Sequence, residues 1–388
     1  MDRPLRILIV RIGAMGDVLH ALPAVTALRN QHPDCFLGWA IEPRWRDLLE
    51  SPTSPAHPSG PRERTPSKPL VDIAIPVPTQ HWKKRPLALS TLAELNRTRR
   101  TLQELHFDLC IDLQGSIKSA VVGRMAAAKA FFGAAHPREQ PAAHFYRHTV
   151  PLHAEHVIDQ ACELLGAATG ELLQPASITL PFDSAAQQWC NASLTELLPH
   201  GEKFAFLAPT AGWGGKQWPA DRFGALAAKL AHAGIRTFVN ASSPGDPLAL
   251  KVVAGSHNAA TLIPSSLPQM IALLRRAALV IAGDTGPLHL AAALERPVVA
   301  LFGPTDPART GPRNTRAVVL RHPSSQRNHK RLQDTEPGLM QITVEEVAEA
   351  ALSLLHDAPS SNQPTEPPST QPSAQPSNQP AEQAKLNP

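Results

Sequence analysis

Short β-branched apolar runs alternate with longer stretches of helical period along most of this chain. That alternation leaves few architectures open, because strand, helix and strand in series close as a parallel sheet with helices on its faces. Strands are expected at 5–11, 36–41, 71–76, 107–113 and 130–132, and again at 204–209, 236–241, 260–263, 279–282, 298–302 and 317–320. Helices are expected between them at 17–31, 91–105, 116–128, 156–165, 221–233, 267–277 and 286–294. A last amphipathic run, 344–355, in which Val347, Ala351, Leu354 and Leu355 recur at helical spacing, closes the fold. The pattern runs through twice, with weak periodicity over 171–198. The chain therefore reads as two Rossmann-like α/β domains, 1–175 and 190–357, that bind ligands between their strand ends. Its 388 residues also exceed what one hydrophobic core usually serves.

Two segments stand outside this pattern, 51–68 and the tail 358–388, both crowded with Pro and polar residues and poor in apolar ones. They account for much of the count of 40 prolines and read as a disordered insertion and a disordered tail. The rest is globular in composition, at 43% hydrophobic and 18% charged. A net charge of +4 is too weak to imply a nucleic-acid partner. Cys35, Cys110, Cys162 and Cys190 are scattered singly in or beside apolar runs, without a CxxC pair or zinc spacing, and read as reduced core residues of a cytoplasmic protein. The apolar run that ends at Arg11 is too short for a signal h-region or a membrane span.

Three turns carry the candidate chemistry. In the first, the strand before Arg11 leads through Gly13 and Gly16 into a helix that begins near Asp17. The glycines let backbone approach a ligand, and the helix start offers free N–H groups. Asp17 is either a first-turn acid that stabilises its own helix or a catalytic carboxylate at a strand's carboxyl end. In the second, Asp284, Thr285 and Gly286 sit between a strand and a helix in the geometry that holds a phosphate, and His289 lies one turn further on the same face. A lone histidine there is either a satisfied core residue or a ligand-facing one. The third, Thr210 to Gln217, is a glycine-rich loop whose Lys216 can set a point charge on a diphosphate; it lacks the GxxxxGK[ST] spacing of a P-loop. A further strand-end turn, 302–307, also reads as simple turn chemistry.

Together these segments resemble glycosyltransferase family 9, and within it the lipopolysaccharide heptosyltransferases. The resemblance spans about residues 5–355 and is carried by MGDVLHALPAV from Met15, DTGPLHLAAAL from Asp284 and FGPTDP from Phe302. FDLCIDLQGSIKSA from Phe107 looks like the D-x-QG-x-x-KS segment of the subgroup acting first on the Kdo region, with Gln114, Gly115 and Lys118 at the matching positions. The stretch His81 to Arg85 resembles that subgroup's basic acceptor-side loop. The family implies a GT-B fold and an inverting transfer of heptose from ADP-heptose to Kdo-lipid A at the cytoplasmic face of the inner membrane. It also implies Asp17 as general base, with Thr210, Lys216, Asp284, Thr285, Gly286 and His289 on the donor and Gly16, His20, Lys83, Lys84, Arg85, Gln114 and Lys118 on the acceptor. No cofactor or metal is expected, and the chain has no D-x-D pair.

The basic stretch also has a reading of its own. Lys83, Lys84 and Arg85 would draw an acceptor bearing carboxylates and phosphates, or an anionic membrane surface, whereas Arg97, Arg99 and Arg100 read as a solvated helix face. The alternative within the family is a heptosyltransferase II-like or other nucleotide-sugar transferase. Two other classes also build strand–turn–helix ligand sites. A nicotinamide-dependent oxidoreductase would need GxGxxG with an acid after the next strand; Glu42 stands there, but the glycine spacing is wrong. A non-catalytic nucleotide-sugar binder would keep the phosphate site without a role for Asp17.

Overall fold

The computed structural model describes residues 3–50, 69–328 and 332–356; the segments 51–68 and 358–388 lie outside these. In the first half the elements run β1 (Arg6–Val10), α1 (Met15–Gln31), β2 (Phe36–Ile41), β3 (Ile73–Pro76), α2 (Thr79–Lys84), α3 (Leu89–Glu104), β4 (Leu109–Asp112), α4 (Ile117–Met125), β5 (Ala130–Ala134), β6 (His148–Val150) and α5 (Val157–Thr169). The second half continues with α6 (Ser184–Leu197), β7 (Phe204–Ala208), α7 (Ala220–His232), β8 (Arg236–Ala241), α8 (Pro247–Gly255), β9 (Ala260–Pro264), α9 (Leu267–Arg276), β10 (Leu279–Gly283), α10 (Gly286–Ala293), β11 (Val298–Phe302), α11 (Pro307–Thr310), β12 (Ala317–Arg321) and α12 (Val344–His356).

The strands form two six-stranded sheets, ordered β3-β2-β1-β4-β5-β6 and β12-β11-β10-β7-β8-β9. Every pairing is parallel. Each sheet starts at its centre, winds to one edge and returns to wind to the other, the doubly wound Rossmann order. The central strands are apolar throughout because both of their faces are covered: β7, β10 and β11 are buried at every residue. The four cysteines are buried as expected, and none forms a disulfide. No helix among the described residues is long and apolar enough to cross a membrane.

Local chemistry sets the helix ends. Ser266 caps α9 by accepting from the Gln269 N–H, and the Gln269 side chain answers at the Ser266 N–H. Asp246 caps α8, with Pro247 at the first helical position. α1 differs from these surface helices in being buried around most of its circumference. Such a helix belongs inside the molecule, and α1 packs against both α5 of its own half and α10 of the other.

The turn between β4 and α4 is built on Asp112. This buried carboxylate accepts from the N–H groups of Gln114 (2.8 Å) and Gly115 (3.1 Å), the Ser119 hydroxyl (2.8 Å) and the Tyr146 hydroxyl (2.9 Å). Burial pushes its pKa up, and the four hydrogen bonds oppose that shift. Tyr146→Phe, which leaves the ring packed on Phe131 and removes one of these donors, should lower stability by about 1–2 kcal/mol. Urea unfolding should show this as a lower midpoint with an unchanged slope.

Candidate active site

The strand order places the site. In each sheet the winding reverses between two central strands, β1 and β4 or β7 and β10, and the diverging connections leave a crevice outside their carboxyl ends. Register sets Val10 beside Asp112 and Ala282 beside Ala208. The turn 11–14 therefore lies abreast of 113–116, and the loop 209–217 abreast of 284–285.

Gln114 ties the first pair together. Its Oε1 accepts from the N–H groups of Ile12 (2.8 Å) and Gly13 (3.2 Å), while its Nε2 donates to Ser116 Oγ at 3.0 Å. Arg11 reaches across the same turn: it donates to the Leu113 carbonyl, through Nε to the Asp17 carbonyl at 3.0 Å, and stands with Nη2 3.1 Å from Asp17 Oδ1. The other carboxylate oxygen, Asp17 Oδ2, accepts from the Ala14 N–H at 3.1 Å. Asp17 thus caps its own helix from the third helical position. Its side chain is still one-third exposed (33%), so the cap does not withdraw the carboxylate from the crevice.

The second pair is held by a buried charge. Asp284 Oδ2 accepts from Lys216 Nζ at 2.6 Å and Oδ1 from His289 Nε2 at 2.8 Å, and Lys216 also donates to the Asp284 carbonyl at 3.2 Å. Burial alone would raise the Asp284 pKa, but the hydrogen bond and charge of His289, with those of Lys216, hold it well below the usual carboxylate range. Since an ionised carboxylate only accepts, Nε2 of His289 carries the proton. Two of the three Lys216 N–H donors go to Asp284, which leaves one without a hydrogen-bond partner among the described residues, and Nζ stands 5.5 Å from the centroid of the Trp213 ring. The first-turn N–H groups of α10 have no partner within the helix, although Pro287 supplies none.

The two crevices meet where α1 and α10 begin. A Cβ on Gly16 would lie 2.6 Å from Cδ2 of His289, and one on Gly286 would run into the side chain of Met15. A side chain at 16 would thus meet the His289 ring, whereas at 286 the worst clash falls on the flexible end of Met15. His20 stacks edge-on to His289 with ring centroids 4.2 Å apart and faces His156 at 6.0 Å. Burial, reinforced by His289, keeps the His20 pKa well below its ordinary value, so the ring is neutral. His156 caps α5 by accepting from the Ile158 N–H at Nδ1 (3.2 Å) and donates from Nε2 to the Gly311 carbonyl (3.0 Å) in the other half.

The residues expected at the site thus divide. Gly16, Asp17, Lys216, Asp284, Gly286 and His289 converge on the two facing turns. Thr285 begins α10 with its hydroxyl on the Gly283 carbonyl at 3.2 Å, and Thr210 lies half-buried just after β7. Gln114 and His20 are engaged in holding the turns and the halves. Lys118 is exposed on α4, and Lys83, Lys84 and Arg85 are exposed on and just after α2, a short helix where a loop was expected. Glu42, the acid after β2, is buried and accepts from the Thr79 hydroxyl at 2.7 Å, so it serves the corner that leads into α2. Arg11, Asp112 and His156 were not singled out from the sequence. Only Asp112 had a signal there, as the first residue of its D-x-QG segment.

Two doubly wound sheets that face each other through carboxylate-bearing turns have the GT-B architecture, with a site for a ligand between their strand ends. The profile of glycosyltransferase family 9 (heptosyltransferase) matches residues 95–339, more than half of the chain. A lipopolysaccharide heptosyltransferase 1 of Pseudomonas aeruginosa is 30% identical over 311 residues, 79% of this chain and 81% of that protein. Among solved structures, the E. coli heptosyltransferase WaaC with ADP superposes with a TM-score of 0.69 at 27% identity, covering 90% of this chain and 100% of that one. The same enzyme with ADP-2-deoxy-2-fluoro heptose gives 0.66 at 27%, covering 89% and 98%. The chain belongs to glycosyltransferase family 9 and is a glycosyltransferase.

Because its folded pKa lies below the unfolded value, Asp284 contributes stability that is present at neutral pH and lost as pH falls below about 4 toward the folded pKa. Asp284→Asn, which leaves Lys216 without its counter-charge, should cost about 3 kcal/mol at pH 7. The gap to the wild type should narrow in urea titrations at successively lower pH.

Proposed function

We propose that this protein transfers L-glycero-D-manno-heptose, with inversion, from ADP-heptose to the Kdo region of the lipopolysaccharide inner core at the cytoplasmic face of the inner membrane. The observation that carries the reading is the approach of the Asp17 turn in one sheet to the Lys216–Asp284–His289 cluster in the other. Heptose, ADP and a lipopolysaccharide acceptor follow the names of the relatives and the ADP and ADP-2-deoxy-2-fluoro heptose held by the E. coli enzyme, while the sugar's configuration, the Kdo region and inversion follow the family resemblance of segments such as Phe107 to Ala120.

In this reading residues 1–175 receive the acceptor and 190–357 the donor. Asp17, oriented by Arg11, takes the proton of the acceptor hydroxyl as that oxygen attacks the anomeric carbon. The bond from that carbon to the β-phosphate oxygen breaks on the opposite face, and ADP leaves with the electron pair. Its charge is met by the remaining N–H of Lys216 and by the start of α10. Thr210, Thr285 and His289 border the donor, with Asp284 fixing Lys216. On the acceptor side, Lys83, Lys84, Arg85 and Lys118 offer positive charge, while Gly16, His20 and Gln114 shape the turn.

Asp17→Ala should lower transfer from ADP-heptose to Kdo-lipid A by about 10²- to 10⁴-fold, while the thermal shift produced by ADP stays as in the wild type. Undiminished transfer would remove Asp17 as the base. A larger shift with UDP, GDP or NAD than with ADP would overturn the donor assignment.

A further inference from the structure

The basic stretch beside α2 carries a second feature, one made of apolar side chains. Leu87 is 90% exposed, Leu89 84% and Leu92 53%. Single exposed leucines are ordinary on a soluble surface. No other stretch among the described residues sets large exposed hydrophobics so close together: Ile117, Leu172, Leu250, Val319 and Met340 each stand alone. Leu89 and Leu92, three residues apart at the start of α3, share a helix face, and Leu87 precedes them in the turn from α2.

The turn is fixed from behind. Glu94 Oε2 receives Trp82 Nε1 and His81 Nδ1, each at 3.0 Å, and so clamps α2 to α3. Inside the turn, the Arg85 carbonyl accepts from the Thr91 hydroxyl at 2.7 Å and from the Ala88 N–H at 3.2 Å. The leucines are therefore displayed on a hairpin braced from within by these hydrogen bonds. Exposed Lys83, Lys84 and Arg85 flank them on one side, and exposed Arg97, Arg99 and Arg100 follow along α3. The nearest acid, Glu94, is already engaged by the clamp.

We infer that this hairpin is a membrane-insertion element, in which Leu87, Leu89 and Leu92 enter the headgroup–acyl boundary of an anionic bilayer while the flanking cations meet its lipid phosphates. Apolar side chains ringed by Lys and Arg are what such an interface holds, and each inserted leucine adds roughly tenfold or more to partitioning. The position suits a lipid-borne acceptor. α2 leaves the carboxyl end of β3, on the same sheet edge as the Asp17 turn and two strands from β1, on the order of 10 Å along the sheet. The inference rests on the proposed function for its lipid-borne acceptor and deepens it by naming the part that meets the membrane.

The test is sedimentation of the full chain with vesicles of phosphatidylglycerol and phosphatidylethanolamine that contain no lipopolysaccharide, with phosphatidylcholine vesicles as the neutral control. The wild type should bind the anionic vesicles and not the neutral ones. Leu87→Asp with Leu89→Asp should weaken binding at least tenfold, while Leu87→Trp, an interfacial side chain, should retain it. Since both leucines are exposed, the ADP thermal shift should stay at its wild-type value and serve as the check on folding. Wild-type protein that ignores anionic vesicles, or leucine variants that bind as well as wild type, would overturn the inference. Binding is read without donor or acceptor, so its failure is separate from any failure of heptose transfer.

Discussion

A carboxylate cannot remain ionised out of water on its own, and the centre of this protein is arranged around one that does. Asp284 keeps its charge because Lys216 takes one of its oxygens and His289 the other. Lys216 arrives from the loop after β7 and His289 from the first turns of α10, so neutralising a single charge locks two connections and a helix at once. His289 then lies against Gly16 and His20 of α1. The demand of one buried charge is in this way passed to the other sheet, and the distance between the two crevices depends on it.

Three aspartates near strand ends show how surroundings divide one functional group among different tasks. Asp112 is buried among neutral donors; burial pushes its pKa up and it organises a turn. Asp284 is buried between the His289 ring and the Lys216 ammonium, which hold its pKa down, and it organises charge. Asp17 has a cation on one oxygen and a backbone N–H at the other, and a third of its side chain remains open. Among these, only Asp17 presents a carboxylate that solvent reaches, which is what the proposed role as base asks of it.

Much of this was legible in the sequence, because the central strands bury both faces and their apolar runs admit no other reading. β6 was not: it has three residues, two of them exposed, and pairs only at the sheet edge. α8 is hard to see as well, since its nine residues show too little period, although Asp246 and Pro247 announce a helix start. The exposed residues of α2 resemble those of a loop, and only the clamp from Glu94 makes the stretch a helix with a fixed partner. At the site, Asp284, Thr285 and His289 share one turn and could be read together. The grip of Lys216 on Asp284 spans 68 positions, and no local pattern encodes it. Asp17 posed a different difficulty, because the sequence set a cap against a chemical role and the side chain has room for the cap without forfeiting the other.

The bond from His156 to the Gly311 carbonyl also bears on how the halves can move. Both groups are buried, and each would be left without its partner in an apolar setting if the faces slid past one another. A rotation centred on this contact leaves it intact. The 156–311 bond thus ties the start of α5 to the turn after α11, and sliding of one half past the other carries the cost of two buried polar groups left unpaired.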